Sequence, residues 1–330
     1  MRLVTSWNIG LKPIDISVKS TNKDNYNAKG IGSFFTAGVD SFYTYLKHKT
    51  QKDKINHLVL VHGFDIPLSN KSFFNQVKKT VETVAKKEKV KAIFIETNIG
   101  ELMEQRLVWE FSHGGALAAV VLLLRGGLKQ LFIAGAVRND QLFPYGTHPH
   151  LDKLWSTETL AVVSDGGEGD RLDKIVKIVS KSPLALQYLR VCAQNIRGKY
   201  NCSRCYKCLI TMLQLTCVDA LKKAKTFDTK LDLKLVKNMY YDYKLVYNIQ
   251  GEQVLAMLRK KKLYPELQEA IVYSLEKSKK TKLSKQLFKV IAQWDQNHND
   301  RRLYRWVFKM NTSEDRNMIF KFLLSKGLLK

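Results

Sequence analysis

The chain has 330 residues, 45% of them hydrophobic and 26% charged, and a formal net charge of +25. This length accommodates one large α/β domain of roughly 200 residues with a smaller partner, and the composition excludes a disordered or low-complexity chain. The longest uncharged apolar run, ALAAVVLLL at 116–124, falls short of the ~18 residues a membrane span needs. The polar-interrupted start MRLVTSWNIGLKPIDISVKS lacks the apolar block of a secretion signal, so a cytoplasmic protein is expected.

In chain order, an extension over 1–29 contains one strand-like run at 14–18. Short β-branched or aromatic runs then alternate with longer helical patterns. The runs fall at 31–36, 57–61, 91–96 and 130–135, and the helical patterns between them at 40–48, 72–86 and 113–124. This alternation predicts an α/β fold with a doubly wound parallel sheet, in which ligands sit at the carboxyl ends of strands. The turns after Phe35, Val61, Glu96 and Gly135 are therefore the ones to inspect.

From about residue 221 the pattern is helical throughout, over 231–247, 265–278, 283–294, 301–310 and 313–326, and predicts a C-terminal all-helical domain. Pro265 fits a first helical position, and Thr312 with Asp315 a capping box. Residues 221–330 hold 25 Lys and Arg against 11 Asp and Glu, over half of the chain's excess charge. Such a surface suits a polyanion, including RNA, and equally suits solvated helix faces in a lysine-rich chain. Tyr240, Tyr241, Tyr243, Trp294 and Trp306 fall at packing spacings and are expected in the core of this domain. The predicted organisation is thus 1–29, 30–220 and 221–330.

Two motifs carry chemistry. The first is the turn Thr36-Ala37-Gly38-Val39-Asp40-Ser41, between a predicted strand and a predicted helix. Backbone N–H groups at such a turn, with the positive end of the following helix, suit phosphate oxygens, and a plain strand-to-helix corner is the alternative. The turn resembles the PP-loop of the N-type ATP pyrophosphatases, Ser-Gly-Gly-x-Asp-Ser. The resemblance implies that Thr36, Ala37, Gly38, Val39, Asp40 and Ser41 hold the β,γ-pyrophosphate of ATP with Mg2+, Asp40 and Ser41 being the catalytic pair. Attack at the α-phosphorus then yields an adenylated intermediate. Threonine keeps the hydroxyl of the first serine, whereas alanine in place of the first glycine adds a β-carbon, which is costly where positive φ is needed.

The second motif is Cys192-x9-Cys202-x2-Cys205-x2-Cys208, whose spacing suits one tetrahedral zinc ion. Cys217, on an apolar helix face, is expected in the core. Together the turn and the cysteines resemble the 7-cyano-7-deazaguanine synthases, the likeness covering roughly residues 30–215. It implies a structural zinc and an ATP-dependent conversion of a carboxylate to an amide and then a nitrile. It also implies that the segment with His62, Gly63 and Phe64 lets the backbone touch adenine, and that the loop after the fourth strand forms the acid-substrate pocket.

That loop, 135–158, holds Arg138, Asp140, Tyr145, His148, His150, Asp152, Trp155 and Glu158. Long loops of this composition are usually functional. His113 and Gly114, at the predicted start of a helix, face the same edge. His148, His150 and Asp152 suit either a second metal or a loop shaped by hydrogen bonds. Arg171 and Lys174 suit either phosphate or solvent.

The leading expectation is an AMP-forming C–N ligase-like enzyme acting on a carboxylate or amide oxygen, with ammonia, an amine or dehydration completing the reaction. A tRNA-modifying PP-loop enzyme, with RNA on the basic tail and an iron–sulfur cluster in place of zinc, is the first alternative. A degenerate nucleotide-binding scaffold whose tail docks a partner protein is the second.

Overall fold

Four of the short apolar runs become strands and a fifth joins them. The computed structural model describes residues 25–104, 109–192, 194–195, 199–239, 241 and 247–280, with a few isolated residues before 25. It divides into two units, Met1–Arg190 and Val191–Lys330, so the break lies some thirty residues before the change in composition near 221.

In the first unit the order is β1 (Gly30–Phe34), α1 (Val39–His48), β2 (His57–His62), α2 (Lys71–Glu88), β3 (Lys91–Glu96), α3 (Ile99–Glu104), α4 (Trp109–Leu123) and β4 (Leu128–Ala134). Then follow α5 (Pro149–Asp152), a 3-10 turn (Lys153–Trp155), β5 (Ala161–Asp165), α6 (Arg171–Lys177), a second 3-10 turn (Val179–Lys181) and α7 (Pro183–Tyr188). All five strands are parallel, in the order β3-β2-β1-β4-β5. The chain thus moves outward from β1 on one side, then returns to start the other side at β4. Parallel strands need crossovers, and the helices supply them. This architecture is compatible with a doubly wound α/β fold, and its topological switch point lies between β1 and β4.

Helical spacing decides which residues point inward. In α2, Phe73, Phe74, Val77, Val81 and Val84 are buried, while Asn70 caps the first turn by accepting the Phe73 N–H. α4 is apolar around most of its circumference, and its Val120 and Val121 pack with Leu131 and Ile133 of β4 and Val162 of β5. Each such fully buried aliphatic side chain contributes about 1.5–3 kcal/mol.

Two expectations change. α4 already runs from Trp109, so Ser112, His113, Gly114 and Gly115 lie within a helix and do not open one; apolar periodicity marks a buried face and gives little sign of the polar turn before it. The segment 135–158 is not a continuous loop, because Pro149 starts α5 with His148 as its N-cap.

In the second unit, α8 (Tyr206–Thr216) is followed by a 3-10 turn (Leu221–Lys223), α9 (Leu233–Lys237), α10 (Tyr247–Lys261) and α11 (Pro265–Lys280). Pro265 takes the first position of α11, where its missing N–H costs nothing. Leu209, Ile210 and Leu213 of α8, Val254, Leu255 and Leu258 of α10, and Leu267, Ala270, Ile271 and Leu275 of α11 form one core. Cys217 and Tyr241 are in it and fully buried. Beyond 220 the described elements of this unit are helices and one 3-10 turn, joined by an irregular stretch over 224–232. The helical patterns at 283–294, 301–310 and 313–326 lie outside the described residues, as do Tyr240, Tyr243, Trp294, Trp306, Thr312, Asp315, Ile16 and Val18; Ile14, Asp15 and Ser17, of the strand-like run at 14–18, are described and belong to no strand.

Candidate functional site

The turn after β1 stands at the switch point. Ala37 has φ of +59°, so the backbone here takes the left-handed form that glycine adopts most cheaply, and alanine bears a cost of roughly 1 kcal/mol. Its carbonyl is held by the Arg190 N–H at 2.8 Å. Gly38 is the N-cap of α1, and no side chain caps that helix end. Ser41 is buried, and its hydroxyl donates to the Gly38 carbonyl at 3.2 Å. A β-carbon on Gly38 would lie 3.3 Å from the Thr36 hydroxyl and 3.8 Å from that of Ser41, so both hydroxyls flank this residue.

Two cations from α6 close on the turn. Lys174 is only 1% exposed, and its ammonium donates to Asp40 Oδ1 at 2.8 Å and to the Gly135 carbonyl. Arg171 Nη1 reaches Asp40 Oδ2 at 3.2 Å. Lys174 thus ties the turn after β1 to the turn after β4, across the crevice between the two strands. Its ammonium also lies 5.7 Å from the centre of the Tyr43 ring. Gly166, with φ of +86°, passes so close that a β-carbon would sit 3.4 Å from the Lys174 ammonium.

Behind this point α1 is anchored by two carboxylates of the β5 edge. Asp165 accepts from Thr44 at 2.9 Å and Lys47 at 2.8 Å and meets His48 Nε2 at 3.0 Å. Glu168 accepts from Tyr43 at 2.7 Å and Lys47 at 2.6 Å. Partial burial opposes ionisation of Glu168, but the Lys47 and Tyr43 hydrogen bonds outweigh it and bring the carboxyl down to about 2. Sequence reasoning missed this anchor; its signal was the stretch Asp165-Gly166-Gly167-Glu168-Gly169-Asp170, too rich in glycine for a plain connection.

The turn after β2 is rigid. His62 is fully buried, stacked on Phe74 at 4.0 Å, with Nδ1 on Glu96 at 2.9 Å and Nε2 on the Pro67 carbonyl at 3.1 Å. Its side chain is therefore committed to packing, and only backbone remains for a ligand. Gly63, at φ of +104°, passes the Thr97 carbonyl too closely for any side chain. Phe64 packs on Trp109, ring centres 5.5 Å apart.

A second group of predicted residues gathers between α4 and α5. Gly114 touches the Gly146 backbone, leaving no room for a β-carbon. His113 sits 4.7 Å from the Tyr145 ring, with Nδ1 on the Trp109 carbonyl at 2.9 Å and Nε2 on the Thr147 hydroxyl at 3.2 Å. A carbonyl only accepts, so Nδ1 carries the proton. Burial lowers the His113 pKa and so favours the neutral ring, in which Nε2 accepts from Thr147.

His148 donates its N–H to Asp152 Oδ1 at 3.1 Å, and its ring lies 5.1 Å from that of His150. Asp152 is fully buried, and burial pushes its pKa up to about 6, with the His148 N–H and the nearby Ser164 side chain opposing the shift. Its Oδ2 is nonetheless buried without a well-formed hydrogen bond. His148 accepts the His150 N–H as a helix cap, so this pair shapes the start of α5.

The remaining loop residues are dispersed. Arg138 and Asp140 form an exposed two-bond pair at 2.8 and 2.6 Å. Trp155 packs into the core beside α4 with its indole N–H buried and unpartnered, and Glu158 is exposed.

In the second unit the four cysteines converge. All are buried, with every sulfur within 4.8 Å of the others and the Cys192–Cys205 and Cys202–Cys208 pairs at 3.9 Å. Tetrahedral thiolates at the usual zinc–sulfur distance stand roughly 3.8 Å apart, so the donor set fits one metal ion. Local backbone shapes the knot. Asn201 Oδ1 accepts the Val191 and Cys192 N–H groups at 2.9 and 3.2 Å, and Ser203 takes φ of +55°. The Cys205 N–H points at the Cys202 sulfur at 3.2 Å, and Cys205 caps α8. Hydrogen bonding from the Cys202, Cys205 and Cys208 thiols holds Cys192 far below the ordinary thiol range, while the Cys192 sulfur pushes Cys208 far above it.

A scan against protein-family models, a search of curated proteins and a search of solved structures each found no match to this chain. Among the described residues no helix is long and apolar enough to cross a membrane.

Proposed function

We propose that this protein is an ATP-dependent, AMP-forming ligase-like enzyme of the PP-loop type, similar to the 7-cyano-7-deazaguanine synthases, with a structural zinc in the four-cysteine knot. The observation that carries the reading is Lys174, buried at the switch point between β1 and β4 and joined at once to Asp40 and to the Gly135 carbonyl. A buried ammonium at the crevice where α/β sheets bind nucleotides is costly unless it meets negative charge there.

In this reading ATP lies with its β,γ-pyrophosphate on the uncapped N-terminus of α1, among the Thr36 and Ser41 hydroxyls. Asp40 would hold Mg2+, which supplies positive charge to the phosphate oxygens when bound. Asp40 also fixes the direction of the Lys174 and Arg171 cations, whose charge favours the departing pyrophosphate. Such preorganised charge acts where negative charge develops, and substrate placement supplies much of the remainder. The backbone at Gly63 and Phe64 contacts adenine. The acceptor occupies the His113, Tyr145 and Asp152 region, where His113, whose neutral form burial favours, and Asp152, largely protonated below pH 6, serve as hydrogen-bonding groups.

The test is ATP–pyrophosphate exchange across a panel of carboxylic acids and bulk tRNA. Acceptor-dependent exchange that Asp40→Ala abolishes and Lys52→Ala leaves intact is expected. Nucleotide binding without exchange on any acceptor would instead favour the scaffold reading, to which the left-handed Ala37 lends support.

A further inference from the structure

Within the second unit, two separate segments bring their cations to one corner. In the segment 221–227, Leu221, Ala224 and Phe227 are buried at every third position and force Lys222, Lys223 and Lys225 into solvent. In α10, Val254, Leu255 and Leu258 face the core, and the helix ends in exposed Arg259, Lys260 and Lys261, followed by exposed Lys262. Two contacts tie the end of α10 and the turn after it to residues 217 and 219, just ahead of the segment 221–227. The Lys261 ammonium donates to the Cys217 carbonyl at 2.7 Å, and the Tyr264 hydroxyl donates to Asp219 Oδ1 at 3.2 Å. Seven cations on these two segments thus outnumber the acids beside them in the chain, Asp219 (already bonded to Tyr264), Asp228 and Glu266.

Cations at a helix C-terminus complement its dipole, which accounts for Arg259 to Lys261. It does not account for Lys262, beyond the helix, or for the lysines of 222–225. The turn itself is unusual. Lys262 and Tyr264 take φ of +55° and +53°, where glycine would be cheaper, and Tyr264 stays 42% exposed. A charged and an aromatic side chain are therefore kept at the surface despite the backbone cost.

We infer that this corner is a docking surface for single-stranded nucleic acid, the lysines and Arg259 taking successive phosphates and the Tyr264 ring stacking on a base. Lysine is depleted at protein–protein interfaces, whereas a phosphate chain accepts point charges in any order, so nucleic acid fits better than an acidic protein. The inference is independent of the chemistry proposed for the first unit.

Full-length protein is titrated with a labelled uridine strand about 20 nucleotides long at salt from about 50 to 200 mM. One variant carries Lys222→Gln, Lys225→Gln, Arg259→Gln and Lys260→Gln. A control with the same charge change carries Lys52→Gln, Lys54→Gln, Lys79→Gln and Lys86→Gln. The patch variant is expected to bind at least about tenfold more weakly, with a salt slope lower by about 3, and the control to stay within about twofold. Tyr264→Ala is expected to weaken the single strand about fivefold or more and spare a duplex, with Tyr264→Phe restoring it. Melting curves identify any variant that fails to fold, and the Tyr264 pair then decides. Wild-type protein that does not bind, a control that loses as much as the patch variant, or polyglutamate that competes as well as the oligonucleotide would each overturn the inference, the last in favour of an acidic polypeptide.

Discussion

The two candidate centres neutralise buried charge in opposite ways. At the switch point of the first unit the protein supplies both signs itself: the nearly buried Lys174 ammonium and Arg171 face the Asp40 carboxylate, and the Gly135 carbonyl completes the set. In the four-cysteine knot of the second unit the thiols are buried against one another, and the Cys205 N–H points at the Cys202 sulfur. The first centre pairs its charges within the fold, and in the proposed reading its two cations face the phosphates of ATP. The second has a donor set that fits one metal ion, and in the proposed reading metal-binding energy supplies its stability.

The largest effect that would sharpen this contrast comes from the knot. Cys202→Ser, or a strong chelator, should destabilise the second unit by on the order of 5 kcal/mol or more while the first unit keeps its own melting transition. Metal analysis of purified protein should give one zinc per chain and no visible absorption; a coloured protein with bound iron would replace zinc by a cluster.

At the switch point, Asp40→Ala leaves the Lys174 ammonium buried with a carbonyl alone and should cost about 3 kcal/mol, whereas Lys174→Met, which removes the buried charge, should cost about 1 kcal/mol or less. Denaturant melts of both variants compare the two numbers directly. Equal losses would mean that the pair is not a charge-compensated unit.

Asp152 supplies a case of an uncompensated group in the first unit. Its folded pKa of about 6 lies above the ordinary carboxyl value, so the native state favours the protonated form. The linked stability is fully present below about pH 4 and is lost as pH rises through 6, a swing of roughly 2–3 kcal/mol. Asp152→Asn should therefore leave stability unchanged near pH 4 and raise it by about 2 kcal/mol at pH 8, read from urea midpoints at the two pH values. The smallest effect is at the turn itself: Ala37→Gly relieves the left-handed alanine and should stabilise by up to about 1 kcal/mol, offset in part by unfolded-chain entropy.

Much of the fold was legible because strand and helix periods differ. The runs at 57–61 and 91–96 and the helical patterns at 40–48 and 72–86 fall within a few residues of the observed elements. β5 was not foreseen, since AVVSD is short and follows a polar segment whose own helix is only four residues long. The cysteine cluster was legible from spacing alone, because metal geometry constrains sequence separation. Lys174 and Arg171 were singled out as cations near a helix start, but their partner was not. Nothing local in the sequence says that a helix after β5 will reach Asp40 across β4; strand order decides that, and strand order is a long-range property. His62 shows the converse: a polar residue at a strand end looks functional in sequence, yet its ring is consumed by Phe74, Glu96 and Pro67.

The most direct test of the central claim is the fate of ATP. With ATP labelled at the α-phosphate in one reaction and at the γ-phosphate in a parallel one, and the acceptor identified by exchange, the products are separated and counted. The account predicts AMP and pyrophosphate in equal amounts, lost in Asp40→Ala. ADP and inorganic phosphate, with the same dependence on Asp40, would show attack at the γ-phosphorus and contradict it.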